Sequence, residues 1–211
     1  GGSTSPCINV DFRNNVIYNW GFNSAYGGEG GTINMVNNYF KPGPATKESV
    51  RNRIVSPSGI EGRWYIAGNV VEENSIISED NWAGGVQGGS AVQSIIGAET
   101  PFPFEPLPEQ TAEEAHADVL QDVGANFPSQ DAIDARILQE VASGTATYDG
   151  TYYEIAQGFP DTSVNRGIID SQNDVGGWPE LATAPAPPDA DKDGMPDNWE
   201  VSNGLNPNDP L

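Results

Sequence analysis

The chain has 211 residues, with 25 glycines, 17 prolines and 36% apolar residues, a composition that suits one turn-rich β domain with or without an appendage. Its net charge of −21 argues against a nucleic-acid binder. No apolar run approaches the roughly 18 residues of a membrane span, and the single cysteine, Cys7, allows no internal disulfide.

The charge is unevenly placed. Residues 1–65 hold six Lys/Arg against four Asp/Glu, and the rest of the chain holds three against 26. Either the acidic part only keeps the protein soluble, or the basic part handles an anionic ligand. No signal-peptide pattern opens the chain, and it does not start with Met. A fragment or a processed chain is the expectation.

The first element is DFRNNVIYNW, residues 11–20. Phe12, Val16, Ile17, Tyr18 and Trp20 favour strands, yet Asn14 and Asn15 interrupt them. The pattern returns at Asn37-Asn38 in INMVNNYFKPG, 23 residues on, and again at Asn69 in WYIAGNVVEEN, 31 residues beyond Asn38. Each unit is a short apolar strand, an Asn, a second short strand and a turn. A repeat in the low twenties with inserted loops predicts a solenoid of parallel strands. Stacked asparagines at one corner would satisfy each other's amides. Surface turns of an antiparallel sheet are the competing reading.

GFNSAYGGEGG (21–31) reads as a glycine-rich turn and lacks the ending of a phosphate loop. KPGPATKESVRNRIVSPSG (41–59) reads as a polar excursion, and 81–110 as a strand or two followed by an extended proline-rich connection. Two helices follow. The first is capped by a Thr111/Glu114 box, has an apolar stripe of Ala115, Val119 and Leu120, and closes at Gly124. The second takes Ser129 as N-cap, turns Ile133, Ile137, Leu138 and Val141 inward, and closes at Gly144. Residues 147–181 read as irregular with strand-like pieces. ATAPAPP (182–188) reads as a linker.

DADKDGMPDNWE then fits the calcium-loop pattern in full. Asp189, Asp191 and Asp193 fall at positions 1, 3 and 5, and Gly194 at position 6 permits the turn. Met195 offers its carbonyl, Asp197 stands at position 9 and Glu200 closes the site at position 12. Calcium takes six to eight oxygens, and this segment supplies them. The flanks differ from an EF-hand: a Pro-rich linker enters and one short helix, ending near Gly204, leaves. The segment resembles the DxDxDGxxDxWE…NGLNPxDP repeats of secreted bacterial proteins, in which the site is structural.

Residues 9–211 resemble the C-terminal half of bacterial pectate lyases of polysaccharide lyase family 1. The resemblance rests on VDFRNNVIYNWGFNSAYGGEGGTINMVNNYF, the RNRIV loop, RWYIAGNVVEEN, DNWAGGVQ, DAIDARILQEVASG and GIIDSQNDVGGWPEL. It implies an all-β-dominated fold: the last coils of a right-handed parallel β-helix (1–95), an extended and helical cover (96–181), the linker and a calcium-binding repeat (189–211). It implies secretion to the extracellular space or cell surface. It also implies calcium-assisted β-elimination of polygalacturonate, in which an Arg removes the C5 proton of a uronate held by calcium and basic side chains. In the family the catalytic Arg and the active-site calcium ligands lie N-terminal to the segment matched here. Residues 1–10 hold no Arg, Asp or Glu, so no catalytic residue is assigned and this segment is expected to be inactive by itself. Lys47, Arg51, Arg53 and Arg63 are the candidate substrate ligands, with Arg13 a weaker one, against the alternative that they pair with Glu48, Glu61 and nearby loops.

Two other classes compete. A non-catalytic β-helix protein for adhesion or assembly would pair its exposed coil edge with a missing N-terminal half or a neighbouring copy. A carbohydrate-binding module would hold acidic polysaccharide without chemistry. His116 reads as a helix-face or surface histidine and Cys7 as inert. Trp64, Trp82 and Trp178 read as packing residues rather than sugar platforms.

Overall fold

A computed structural model describes residues 8–126, 129–152, 158–159, 163–180 and 185–210. Cys7 and the linker residues 182–184 lie outside them. The chain divides into two compact units, residues 1–176 and 177–211.

In the first unit, eight short strands pair only in parallel. They are β1 (Asn9–Arg13), β2 (Val16–Tyr18), β3 (Tyr26–Gly27), β4 (Thr32–Val36), β5 (Tyr39–Lys41), β6 (Ser56–Pro57), β7 (Arg63–Ala67) and β8 (Val70–Val71). Three sheets result, in the orders β1-β4-β7, β2-β5-β8 and β3-β6. Consecutive strands enter different sheets, and the chain returns one rung higher after each circuit. The asparagine pairs therefore mark turns between parallel sheets, and the antiparallel reading fails.

Side chains alternate along each strand. Ile17 and Phe40 are in register, Phe40 pairs with Val71, and all three face the core. Val10, Ile33 and Trp64 form one row of the first sheet, and Phe12, Met35 and Ile66 another. The core gathers Trp20, Phe40, Ile54, Val55, Trp64, Val71, Ile77, Trp82, Val86 and Ile96. Fully burying one such side chain contributes about 1.5–3 kcal/mol.

The corner answers why amides interrupt the strands. Asn14 and Asn37 take left-handed φ values of 54° and 53°, and Gly68 does the same at 67°. The next residue at each corner builds the ladder. Asn15 donates from N and Nδ2 to Asn38 Oδ1 (3.0 and 2.9 Å). Asn38 donates likewise to Asn69 Oδ1 (3.0 and 2.8 Å), and Asn69 to Asn81 Oδ1 (3.0 and 2.9 Å). Asn81 ends the stack, its Nδ2 donating to the carbonyls of Asn69 and Ile77. Buried amides are thus paired throughout. Asn81 follows Asn69 by only 12 residues, so the repeat spacing gave no sign of it.

Segments from farther along the chain cover the outer sheet faces. Asn34 exchanges hydrogen bonds with the backbone of Phe102. Arg13 lies 3.9 Å from the Phe104 ring centroid and is bound to Asp11 at 2.6 Å. Asn14 and Asn37 both donate to the Gln110 carbonyl. The strap 102–110 is thereby tied across the first sheet. Helix α3 (Ala112–Gln121) then packs on β2 and β5, with α4 (Ala132–Ser143) against it; they follow α1 (Ser75–Glu79) and α2 (Gly89–Ile96) in the chain.

Several sequence expectations need correction. The strands expected within 81–110 reduce to single bridges at Val86 and Gly97. Val92 and Ile96, spaced i,i+4, turn α2 onto the core instead. The cap of α4 is Asp131, not Ser129: its carboxylate accepts from the amides of Ile133 and Asp134. Ile137 is 44% exposed, and of the four expected inward residues only Val141 is buried. Helix α3 stops at Gln121 with Asp122 as C-cap, short of Gly124. The glycine-rich 21–31 and the excursion 41–59 each hold a two-residue strand, too short for any periodicity to reveal. The Thr111/Glu114 capping box forms as expected, and Gly144 closes α4 at φ 71°.

Candidate functional site

The basic excursion is built around a 3-10 turn, Glu48–Val50, that runs beside residues 21–27. The Lys47 amide donates to Gly21 O, Ser24 Oγ to the carbonyls of Arg53 and Ile54, the Ser56 amide to Ala25 O and the Ser58 amide to Gly27 O. These bonds place Lys47, Arg51 and Arg53 on one loop next to β3 and β6. Arg53 Nη1 donates to Asn23 Oδ1 at 2.7 Å and approaches the Phe22 carbonyl at 3.5 Å. Arg53 forms no ion pair among the described residues. Arg51 lies 3.7 Å from Glu48, whose side chain is almost fully exposed. That pair is worth little in water and leaves the guanidinium able to exchange partners. Arg63 stands apart from this loop in sequence and sheet: it opens β7, in register with Thr32, and its Nη2 donates to Gly97 O at 3.1 Å. Of the four expected ligands, the hydrogen bonds group three. Arg13 is held by Asp11 and Phe104, and the bond from Arg13 keeps the Asp11 carboxyl below its ordinary value.

Sequence reasoning missed three neighbours of this loop. Phe22 is 58% exposed and Tyr26 74% exposed, while Asn23, next to Phe22 in sequence, anchors Arg53. Only their place beside the basic loop gives them away, and that needs the β3-β6 pairing. Trp64 and Trp82 are buried in the core, as packing residues should be, whereas Trp178 is exposed.

His116 proves to be more than a helix-face residue. Its ring stacks on Tyr39 at 4.1 Å with the planes 7° apart, and its buried Nε2 has no partner among the described residues. Burial and the Lys41 charge lower its pKa, against a smaller opposing effect of Glu72. Lys41 is bound to Glu72 at 2.8 Å, and the Tyr39 hydroxyl donates to the same oxygen. Burial first, then Glu72, pushes the Tyr39 phenol up to about 12.

The second unit holds the acidic loop. Asp189, Asp191 and Asp193 each bring a carboxylate oxygen to within 4.8 Å of the others. Backbone amides wrap the loop onto these side chains: Lys192 and Gly194 donate to Asp189, Asp193 to Asp191, Met195 to Asp193, and Ala190 to Asp197. Gly194 has a φ of 97°, a value that a residue with a Cβ rarely adopts, as position 6 demands. Helix α5 (Asp197–Ser202) carries Glu200, which is 1% exposed. Burial, and then Asp191, Asp193, Asp197 and Asp189, raise the Glu200 pKa.

The donor set fits calcium on a specific ground. Asp191 Oδ2, Asp193 Oδ2 and Glu200 Oε2 are all buried without a hydrogen-bond partner among the described residues. Buried carboxylate oxygens that lack donors are costly unless a cation takes them. They are hard oxygen ligands with the spacing calcium needs. Such an ion would bind the loop to the start of α5 and supply a structural cross-link.

No protein-family model matches the chain. Among known proteins it is similar to a probable pectate lyase C of Emericella nidulans, 27% identical over 204 residues. It is likewise similar to those of Aspergillus terreus, 29% identical over 206 residues, and Aspergillus fumigatus, 28% over 206 residues. Each alignment covers 94% of this chain. The chain spans 42–43% of the length of these relatives. They support kinship with pectate lyases. They are fungal, and carry no support for a bacterial source or for the calcium repeat.

Proposed function

We propose that this chain is the C-terminal portion of a secreted, pectate-lyase-like polysaccharide lyase that acts on polygalacturonate by calcium-assisted β-elimination. The observation that carries the reading is similarity to proteins named probable pectate lyase C along 94% of a chain whose strands stack in parallel rungs. On this reading residues 1–95 are the last coils of a right-handed parallel β-helix and 96–181 their cover. Residues 182–188 are a linker, and 189–211 form a calcium-stapled repeat. Lys47, Arg51 and Arg53, with Arg63 farther along, bind uronate carboxylates. They lie in the part of the chain that is not acidic, and Arg guanidinium makes strong directional bonds to carboxylate. No residue described here is assigned proton abstraction, so chemistry falls to coils contributed by the rest of a longer protein.

The test mixes the chain with polygalacturonate and calcium. Retention of the chain by immobilised polygalacturonate, without release of the unsaturated uronate product, supports the reading. A calcium-dependent rise in near-ultraviolet absorbance would place catalytic groups within these 211 residues and overturn the assignment of chemistry elsewhere. Absence of binding would overturn the substrate assignment.

A further inference from the structure

We infer that Phe22 and Tyr26 are stacking platforms of an acidic-sugar subsite in which Arg53 takes the carboxylate. The inference rests on the polysaccharide reading above and adds residues that it does not name. Three observations carry it.

The first is exposure where the sheet would otherwise be polar. Tyr26 opens β3 with its side chain outward while Gly27 turns to the core, and the aromatic face is left 74% exposed. Phe22, four residues earlier, is 58% exposed. Large aromatic faces beside polar groups are suited to the flat apolar face of a pyranose ring.

The second is a cation held beside Phe22. Asn23 follows Phe22 directly, and its Oδ1 fixes Arg53 Nη1 at 2.7 Å. Arg53 Nε and Nη2 donate to nothing among the described residues, so the guanidinium keeps donors for a carboxylate. A guanidinium already held on one side loses less freedom on binding a second partner. Asn23 and Tyr26 are three residues apart, Asn23 in the bend that leads into β3 and Tyr26 on β3 itself.

The third is the chemistry of the adjoining row. Ser56 is in register with Tyr26, and its Oγ donates to Gln87 Oε1 at 2.9 Å. A hydroxyl and an amide thus continue the surface with neutral groups suited to sugar hydroxyls. Past Gly27 the surface turns acidic at Glu29, whose carboxyl is held below its ordinary value by its own backbone amide and the Ser58 hydroxyl. A uronate carboxylate is favoured at the Arg53 end and disfavoured at the Glu29 end.

The test measures binding of oligogalacturonides, and of their methyl esters, to the full chain by calorimetry. Phe22→Ala and Tyr26→Ala should each weaken oligogalacturonide binding about five- to tenfold, as truncated aromatic anchors do, with the thermal midpoint unchanged. Tyr26→Phe should bind as the parent does. Arg53→Gln should reduce the preference for the acid over the ester, with Lys47, Arg51 and Arg63 left in place. If the parent binds but both aromatic variants bind equally well, this subsite is wrong and the polysaccharide reading stands. If the parent binds neither ligand, both fall.

Discussion

Asn38 and Asn69 are joined side chain to side chain inside the protein, with Asn38 Nδ2 2.8 Å from Asn69 Oδ1 and both residues fully buried. The same Asn69 oxygen accepts from the Asn38 backbone amide, and Asn38 Nδ2 also reaches the Phe12 carbonyl. One residue therefore ties three rungs together. Asn38→Ala should destabilise the protein by at least about 2 kcal/mol, because each orphaned buried polar group costs about 1–3 kcal/mol. Urea unfolding would show it as a lower midpoint. Asn38→Asp should fare no better, since a carboxylate cannot donate to Asn69 Oδ1 or to Phe12 O. An unchanged midpoint for either variant would mean that the ladder is decoration.

Gly68 holds the corner position that Asn14 and Asn37 fill on the lower rungs. Its φ of 67° is left-handed, and a Cβ there would collide with Asn37 Oδ1. Left-handed strain alone costs about 1–2 kcal/mol for an ordinary residue. Gly68→Ala should cost more than that. Gly68→Asn tolerates the backbone yet still meets Asn37, so it should remain destabilising. If Gly68→Asn matched the parent in thermal unfolding, crowding would be excluded as the reason for glycine.

The stack of parallel strands was legible in the sequence because its signal is local and repeated. Asn14-Asn15, Asn37-Asn38 and Asn69 each sit between two apolar runs, and the Thr111/Glu114 capping box and the closing Gly144 are local too. The third sheet was not legible: β3 and β6 have two residues each and exist through their pairing. Nor was Asn81, which joins the ladder from the far side of α1. The acidic cluster could be read because Asp189, Asp191 and Asp193 come from one short segment. The basic surface could be read only in part. Lys47, Arg51 and Arg53 are close in sequence, but Asn23, Phe22 and Tyr26 reach them from an earlier rung.

Calcium should order the acidic loop. Chelation is expected to speed amide exchange at Lys192, Gly194 and Met195, whose protection comes from bonds to Asp189 and Asp193. Calorimetry should register one calcium bound here in the parent. Asp193→Ala and Glu200→Gln should weaken it, the first by removing a ligand and the second by removing charge from the closing oxygen pair. Equal exchange with and without calcium would exclude the loop as an ion site.

The Tyr39–His116 stack predicts a pH window for the helical cover. His116 is the only histidine. Its folded pKa is lowered from 6.5 by burial and by Lys41. A lowered pKa means that the unfolded chain binds a proton more readily than the folded one. The stability contribution is therefore complete above about pH 6.5 and is lost as the pH falls through the folded value. The unpartnered Nε2 sharpens the point: a proton there would put a charge in a half-buried stack beside Lys41, with Glu72 already committed to Lys41 and Tyr39. Stability to urea should decline between pH 6.5 and the carboxylate range, and His116→Gln should remove that part of the slope. The variant also loses the stack, so its absolute stability is not the readout; the difference in slope is. Amide exchange in α3 should follow the same profile, because α3 is the element that His116 fastens to β5. Parallel pH profiles for the parent and the variant would exclude His116 as the titrating group.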